Sequence, residues 1–448
     1  MSQFPLGLHA PVEHSAPLPE RADVVVIGGG VVGVSTAIHL GRRGANVVLV
    51  EKGRVAGEQS SRNWGWIRQQ GRDTAELPIM IEARRLWIEL AEQSGEDFGL
   101  TQGGVTYLAR TDAELDGFSR WQVFAAKLGV DTMMLDAAQT AQLIPGMTRT
   151  YPGAMTTPSD MRAEPWLAVP ALARLAAREG VTIVEECAAR ALDVEGGRVA
   201  GLVTEKGRIA ASEVVLAGGA WSSLFLRRHG IGIPQLSVLS SVAATEPMAR
   251  VYTGGATDDE VAFRLRQDGG YTLADGSAHD FFVGPDAFRA LPKYLPVMKK
   301  HMAGTKLRPL APAGYPDAWG TPRNWGEDEM SPFERMRVLD PKPSRHTLKT
   351  FIGRFERLFP QLGPVKIKAS WGGMIDTLPD IVPIIDRAGQ LPGLTIGTGM
   401  CGHGFGIGPG VGRVLADKVM GNEIGHDLRR FRLARFSDGS KLDLGPSL

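Results

Sequence analysis

The pattern of apolar and polar positions predicts alternating strands and helices near the start of the chain. Asp23–Ile27 is a short apolar run typical of a buried strand, and Val34–Arg43 has helical character. Asn46–Val50 predicts a second buried strand, which ends at Glu51. A glycine-rich turn joins the first strand to the helix. This order of strand, tight turn, helix and strand is typical of an α/β unit with a parallel sheet.

The same patterns predict elements further along the chain. Four more strands are predicted, at Val181–Glu185, Arg198–Thr204, Glu213–Leu216 and Leu394–Ile396. Helical periodicity is clearest in three segments, Ile79–Gln93, Glu164–Glu179 and Gly410–Met420. Residues 291–345 differ, because they hold nine of the chain's 29 prolines and show little periodicity. We interpret that stretch as an inserted subdomain.

Composition narrows the class of protein. Lys and Arg total 50 against 49 Asp and Glu, and a net charge of +1 offers no basic surface for nucleic acid. Cys187 and Cys401 are the two cysteines, too far apart in sequence to suggest a thiolate metal site, so we expect no metal and a reducing, cytoplasmic location. No apolar stretch is long enough to span a membrane, although peripheral contact with one stays open.

Glycine is in excess at 56 residues of 448, and one cluster predicts a dinucleotide site. Gly28, Gly30 and Gly33 follow the first strand with the spacing G-x-G-x-x-G. The first glycine makes the turn, the second lets the backbone approach a pyrophosphate, and the third lets helix and strand pack closely. Glu51 ends the second strand, where a carboxylate accepts hydrogen bonds from ribose hydroxyls. A second fingerprint is absent, so the sequence predicts one dinucleotide.

Two further clusters extend the predicted site. Ser60 and Ser61 follow the acid and could reach the cofactor phosphates; the alternative is an ordinary helix N-cap. Glycines 397–412 lead into the last helix, where backbone amides could hold the negative charge of a reduced flavin ring. Together these clusters favour a flavin dinucleotide.

Three sequence blocks resemble the superfamily of flavin-dependent D-amino acid oxidases, glycine oxidases and sarcosine oxidases. They are DVVVIGGGVVG…VVLVEK, VVLAGGAWSS and GHGFGIGPGVGRVLAD, and the resemblance covers about Ala22 to Gly421. VEKGRVAGEQSSR, CAARALDVEGGRVAGLVTEKGRIAASEVVLAGG and SPFERMR also resemble bacterial membrane-associated L-amino acid deaminases.

The resemblance implies an α/β fold with two main parts. One is a Rossmann-like FAD-binding domain of the glutathione-reductase type, expected at residues 20–75, 155–235 and 385–425. The other is a mixed-sheet α+β substrate domain, expected at 76–154, 236–290 and 346–384, with the inserted subdomain at 291–345.

The motifs and the resemblance together imply a set of cofactor contacts. These are Gly28, Gly30, Val31, Val32, Gly33, Glu51, Lys52, Ser60, Ser61, Arg62, Trp64, Gly65, Trp66, Ala189, Ala217, Gly218, Trp221, Gly373, His403, Gly404, Phe405, Gly406 and Ile407. His403 could donate a hydrogen bond to the flavin or the substrate. The covalent flavin link of some sarcosine oxidases needs a cysteine near WGGMID, and Trp371–Asp376 contains none. Non-covalent FAD is therefore predicted.

Two departures from the deaminases affect the implied substrate and location. Their N-terminal membrane anchor has no counterpart here, and Ala278-His279-Asp280 stands where they carry an arginine for the substrate carboxylate. Arg68 and Arg72 could replace that arginine; the alternative is a surface salt bridge, for instance with Asp73. Asp280 with His279 would instead favour a cationic amine, unless both are solvated loop residues.

Trp371 and Tyr271 complete the candidates for the substrate pocket. Trp371 matches a family position beside the flavin, and the alternative is a buried core tryptophan. Tyr271 is a candidate pocket wall.

The implied reaction is oxidation of the C–N bond of an amino acid or amine. Hydride passes from carbon to flavin N5, and the imine is hydrolysed to a keto acid or aldehyde, with O2 or another acceptor reoxidising the flavin. Two alternatives are the catalytic subunit of a heteromeric opine-type or secondary-amine dehydrogenase and a flavin-binding protein without turnover.

Overall fold

Two large sheets organise the computed structural model, which describes residues 4–301 and 304–444. The strands are β1 (Val24–Ile27), β2 (Val47–Val50), β3 (Trp66–Ile67), β4 (Thr101–Gln102), β5 (Val105–Ala109), β6 (Met133–Asp136), β7 (Gly153–Thr157), β8 (Met161–Arg162), β9 (Thr182–Val184), β10 (Ala189–Glu195), β11 (Arg198–Thr204), β12 (Gly207–Ala210), β13 (Glu213–Leu216), β14 (Leu236–Thr245), β15 (Gly255–Thr257), β16 (Ala262–Leu265), β17 (Tyr271–Ala274), β18 (His279–Phe282), β19 (Thr305–Arg308), β20 (Ile367–Thr377), β21 (Ile384–Arg387) and β22 (Leu394–Thr398). The helices are α1 (Val31–Arg42), α2 (Gln59–Arg62), α3 (Leu77–Ser94), α4 (Asp112–Ala126), α5 (Ala137–Leu143), α6 (Pro165–Arg178), α7 (Ser222–Arg228), α8 (Pro285–His301), α9 (Pro332–Arg335), α10 (Arg345–Leu358) and α11 (Gly404–Met420).

The first sheet has six strands in the order β21-β22-β13-β1-β2-β9, all parallel except β21. Val26 of β1 is level with Leu49 of β2 on one side and Val215 of β13 on the other. Strands buried on both faces are apolar throughout, which explains the unbroken runs in the sequence. The carboxyl ends of β1, β2 and β13 therefore meet at one edge.

The second sheet is mixed, has ten strands, and follows the order β19-β18-β14-β17-β16-β15-β5-β7-β6, with β20 also paired to β14. β14 and β20 form its longest antiparallel ladder, in which Val242 is level with Trp371. Helix α10 covers this sheet with Phe351 and Phe355, both fully buried.

All ten predicted elements are present, and the predicted fold class is confirmed. The largest difference in bounds is at α11, which begins at Gly404 rather than Gly410. The Pro-rich segment contributes β19 to the mixed sheet, and its Trp325 and Phe333 belong to the same hydrophobic cluster as Trp221. The domain boundaries themselves stay predictions.

The described residues contain neither a membrane-spanning helix nor a metal-binding cluster. Within residues 4–301 and 304–444, no helix combines the length and apolar character that a membrane span requires. Across the same ranges, no group of three or more His, Cys, Asp or Glu side chains is arranged to hold a metal ion.

Candidate functional site

A large cavity in the described part of the chain has a volume of about 1200 Å³. Its floor is the carboxyl edge of the parallel sheet, with Gly28, Glu51 and Ala217, and its opposite wall is Val242 of β14 and Gly373 of β20. Ligand sites in open α/β sheets lie at this edge of the strands. The volume exceeds the range of about 300–1,000 Å³ usual for small-molecule pockets, as a dinucleotide together with a substrate requires.

The glycine turn has the geometry that the fingerprint predicts. Gly28 has a φ of +109°, and a Cβ there would lie 2.5 Å from the carbonyl oxygen of Ala217. A Cβ on Gly33 would lie 2.0 Å from the Gly28 carbonyl oxygen, so only glycine allows this approach of helix to strand. Gly30 is the N-cap of α1 and has no side-chain cap, which leaves the positive end of the helix facing the cavity.

Glu51 is held in place by the turn it faces. Its Oε2 accepts from the Gly29 amide at 2.7 Å and its Oε1 from the Gly53 amide at 2.8 Å. Burial raises the pKa of this carboxyl above its usual value. Ribose hydroxyls would meet a fixed, largely dehydrated acceptor here.

Lys52 and Ser60 have partners of their own in the cavity wall. The Lys52 ammonium lies 4.4 Å from the centre of the Trp221 ring and 2.5 Å from Glu58 Oε1. The Ser60 hydroxyl accepts from the Val31 amide at 3.0 Å, so it ties α2 to the start of α1.

Most of the predicted cofactor residues line the cavity. The five that do not are Gly33, Ser61, Gly65, Gly406 and Ile407. Gly33 acts by packing on Gly28, and Ser61 accepts from the Leu6 amide at 3.2 Å. The Gly406 carbonyl accepts from Trp87 Nε1 at 2.9 Å, and Ile407 is fully buried in the core. Gly65 has a φ of +78° and abuts the carbonyl of Ala163.

Arg68 and Arg72 both line the cavity, and neither forms an ion pair within residues 4–301 and 304–444. The Arg68 guanidinium lies 5.4 Å from the centre of the Tyr107 ring. Arg72 is 2% exposed, and its Nη1 has no hydrogen-bond partner. Burial, with Arg68 nearby, lowers the pKa of Arg72 to about 9, so the group is charged at neutral pH. Asp73 pairs instead with Arg430, at 2.8 Å.

Asp160 holds the loop that carries the two arginines. Its Oδ1 accepts from the Gln69 amide at 2.7 Å and its Oδ2 from the Gln70 amide at 3.2 Å. Burial raises the pKa of Asp160 to about 6. Trp121 adds a second constraint, because its Nε1 donates to the Arg72 carbonyl at 2.8 Å.

Three of the predicted substrate residues lie outside the cavity lining, namely Trp371, Tyr271 and Asp280. Trp371 is 3% exposed and contacts Trp166 and Phe4 rather than the cavity. Tyr271 is fully buried, and its hydroxyl donates to the Tyr252 carbonyl at 2.9 Å.

Asp280 and His279 lie on strand β18 rather than on a loop, and only His279 lines the cavity. Asp280 is 4% exposed and accepts from Arg308 at 3.2 Å, so it is not free to meet a substrate amine. His279 does line the cavity, and its Nδ1 has no partner.

His403 lies at the N-cap of α11 and also lines the cavity. Its Nδ1 is 3.0 Å from Oε2 of Glu76, a fully buried carboxylate just before α3. Burial and Arg72 lower the pKa of His403 to about 4, against the opposing effect of Glu76. Burial raises the pKa of Glu76, but His403 and the two arginines outweigh it, so that pKa lies below its usual value.

Sequence reasoning missed Glu76 and Asp376. Asp376 lines the cavity and accepts from Gln235 and from the Gly399 amide, both at 2.9 Å, which fixes the segment entering α11. Its place in WGGMID, at the end of a strand, was the available signal. Glu76 follows Arg72 by four residues, but an acid before a helix is usually a cap.

A fixed glycine turn, a helix N-terminus that faces the cavity and an acid on the ribose side define a protein that binds a dinucleotide at the edge of a parallel sheet. The family model described as FAD dependent oxidoreductase matches residues 23–418, and the chain belongs to this family. The cofactor is FAD, as predicted.

Known proteins resemble the chain along most of its length. Human mitochondrial sarcosine dehydrogenase is 26% identical over 94% of this chain, which spans 42% of that protein. Sarcosine oxidase subunit beta from an Arthrobacter species is 26% identical over 95% of this chain and 94% of its own length. The structure of L-amino acid deaminase from Proteus myxofaciens in complex with anthranilate superposes with a TM-score of 0.90, at 30% identity over 95% of this chain and 96% of that chain.

Proposed function

We propose that this FAD-dependent oxidoreductase oxidises the C–N bond of an α-amino acid to a 2-oxo acid and ammonia. The observation that supports the proposal is the position of Arg68 and Arg72 in the wall of the FAD cavity, where neither forms an ion pair with a described residue and Nη1 of Arg72 has no hydrogen-bond partner. Burying two positive charges near the single carboxylate of Glu76 and that of Asp160, with no direct ion pair, is costly, and an anionic substrate group relieves that cost. A carboxylate matches a guanidinium with two parallel hydrogen bonds.

The cofactor fits the residues that are present. The turn at Gly28 and the N-terminus of α1 would hold the pyrophosphate, and Glu51 the ribose. The segment before α11, held by Asp376, would face the flavin ring. When bound, FAD supplies the acceptor for the hydride that leaves the substrate carbon.

The chain's own residues position the substrate. Arg72, with Arg68 beside it, binds the carboxylate, and Asp160 and Trp121 keep that loop from moving. Trp64 and Trp66 pack edge to face at 5.1 Å and line the same cavity, where they exclude water from the reacting atoms. Orientation of this kind accounts for a large share of the rate of such reactions.

The similar proteins support this assignment. Sarcosine dehydrogenase, sarcosine oxidase and L-amino acid deaminase are all named for compounds in which an amine and a carboxylate share one carbon. The structure adds that Asp280 is paired and outside the lining, which disfavours the alternative of a carboxylate-free amine.

The proposal is tested by mixing the FAD-loaded protein anaerobically with L- and D-amino acids, N-methyl amino acids and simple amines. The readout is loss of the visible absorbance of oxidised flavin. We expect α-amino acids to bleach the flavin and their decarboxylated amines to fail. Bleaching by the amines alone would contradict the carboxylate assignment. Bound FAD that no compound reduces would favour the flavin-binding protein without turnover.

The second candidate is the catalytic subunit of a heteromeric amine dehydrogenase. It is favoured by the likeness to sarcosine oxidase subunit beta, which the chain matches over 94% of that subunit. Steady-state turnover of the purified chain with an artificial electron acceptor separates the two. Full turnover by the chain alone would exclude a required partner.

Three finer expectations stay predictions. They are O2 or another compound as the physiological acceptor, a cytoplasmic location, and peripheral contact with a membrane. Non-covalent attachment of FAD is likewise a prediction, which release of the flavin on denaturation would test.

A further inference from the structure

A buried acid links two groups of the cavity wall. Glu76 is fully buried, and its electrostatic partners are His403, Arg72 and Arg68. Its Oε2 lies 3.0 Å from His403 Nδ1, and its Oε1 has no partner. Arg72 and His403 line the cavity while Glu76 lies behind them. The Glu76 carboxylate therefore contacts His403 and interacts electrostatically with Arg72, the two groups that a substrate would meet.

The tautomer of His403 follows from this contact. A neutral imidazole has one N–H and one lone pair, and the nitrogen facing a carboxylate carries the proton. Nδ1 therefore donates to Glu76, and Nε2 keeps the lone pair. No hydrogen bond to Nε2 occurs within the described ranges, and 18% of the side chain is exposed, at the cavity wall. The sequence suggested a donor here, but the geometry gives an acceptor.

We propose that His403 Nε2 accepts a hydrogen bond from the substrate amine and that Glu76 is the positioning residue that fixes the required tautomer. This inference rests on the proposed function, because it assumes an amino acid in the cavity. Arg72 would bind the carboxylate while His403 binds the amine on the neighbouring carbon. The site then requires both groups, and a carboxylate without an amine binds more weakly.

The charges around His403 agree with a neutral acceptor. The groups that face it are Arg72 and Arg68 from the loop before α3 and Glu76 at the end of that loop. Burial is the largest effect that keeps the imidazole neutral, and the two guanidiniums act in the same direction, against Glu76. An amine donates a hydrogen bond whether or not it is protonated, so the contact forms in either state.

The test compares two probes that cannot be oxidised. These are 2-aminoisobutyrate, which has no hydrogen on the reacting carbon, and isobutyrate, in which a hydrogen replaces the amine so that no C–N bond is left to oxidise. Their dissociation constants are measured on the FAD-loaded protein from the shift of the flavin spectrum. In the native protein we expect the amino compound to bind about 10-fold more tightly, the effect of one hydrogen bond to a charged group.

Two variants should remove this preference. His403→Ala deletes the acceptor. Glu76→Gln presents an amide that can donate to Nδ1, which moves the ring proton to Nε2. Both should lower the ratio of the two dissociation constants to about 1, mainly by weakening 2-aminoisobutyrate. His403→Leu, which also lacks an acceptor and keeps more of the side-chain volume, provides a second variant if the alanine protein does not fold.

The chain offers a matched control. Glu82 of α3 contacts His426 Nε2 at 2.6 Å, and neither residue lines the cavity. Glu82→Gln breaks a similar pair on the same helix and should leave the ratio unchanged. Nitrogen-15 NMR of the histidines adds a readout free of ligands, since His403 should show a protonated Nδ1 in the native protein and a protonated Nε2 in Glu76→Gln.

The possible results distinguish failure of the His403 inference from failure of the proposed function. The inference is overturned if the variants weaken both probes equally, or if they change FAD affinity and leave the ratio alone. A native protein in which Nε2 carries the proton would also overturn it. If neither probe binds the native protein and no amino acid reduces its flavin, the proposed function itself has failed.

Discussion

In the proposed function, Arg72 is the charge that contributes most to substrate binding. Its guanidinium is 2% exposed, and its Nη1 has no partner in the described structure. Replacing Arg72 with Gln should weaken binding of isobutyrate by about 10- to 100-fold, the usual effect of losing a hydrogen bond to a charged group. Flavin-spectrum titration measures this. Arg85→Gln removes an exposed arginine from α3, whose partners Glu82 and Glu89 lie outside the cavity lining, and should bind isobutyrate like the native protein. Equal affinity in the Arg72 variant would contradict the assignment.

His403 should also make stability depend on pH. Its pKa falls from 6.5 in the unfolded chain to about 4 in the fold, because of burial and then Arg72. Between these values the unfolded chain binds more protons, so this stabilisation is complete above pH 6.5 and is lost as pH falls toward 4. The loss amounts to about 3 kcal/mol. Urea unfolding at several pH values should show it in the native protein and not in His403→Asn. Parallel curves for the two proteins would show that His403 is not shifted.

Sequence patterns identified some residues of this site correctly and missed or misplaced others. Arg68 and Arg72 belong to a loop next to the cofactor motif, so their place in the cavity followed from the chain itself. Trp371 and Tyr271 lie on strands of the mixed sheet. The part of a strand that borders a cavity is decided by packing between elements distant in sequence, so sequence patterns could not locate these two residues. Glu76 was missed because its partner His403 is separated from it by most of the chain.

At the scale of elements, the close packing of α1 against α11 supports the cofactor turn. A Cβ on Gly412 of α11 would lie 2.5 Å from Ser35 Cβ and 2.7 Å from the Thr36 amide nitrogen of α1. Gly412→Ala should therefore destabilise the fold by about 1–3 kcal/mol and weaken FAD binding. Urea unfolding and FAD titration measure the two effects. Gly389→Ala is the control, because a Cβ there meets nothing within 4 Å. Similar stability of the two variants would contradict the packing argument.

This packing also explains where element prediction failed. The first two turns of α11 are rich in glycine and contain Pro409, a composition typical of a loop. The helix forms because Gly408 and Gly412 allow α1 to approach, and that contact outweighs local propensity. The strands of the parallel sheet were predictable, since burial on both faces leaves a continuous apolar run.

At the scale of the whole molecule, the cavity is where two sheets of different character meet. The carboxyl edge of the parallel sheet lines one side of the cavity, and strands β14 and β20 of the mixed sheet line the other. A net charge of +1 adds no long-range attraction for a charged partner. The proposed recognition of the substrate therefore depends on the few charges in the cavity wall.

The central claim is that this cavity couples oxidation of an amino acid to reduction of FAD. It is tested most directly by a single anaerobic turnover of the FAD-loaded protein with an α-amino acid that bleaches the flavin. The account predicts one 2-oxo acid and one ammonia for each FAD reduced, and slower bleaching when the hydrogen on the reacting carbon is replaced by deuterium. Reduction without a 2-oxo acid, or no reduction by any amino acid while FAD stays bound, would contradict it.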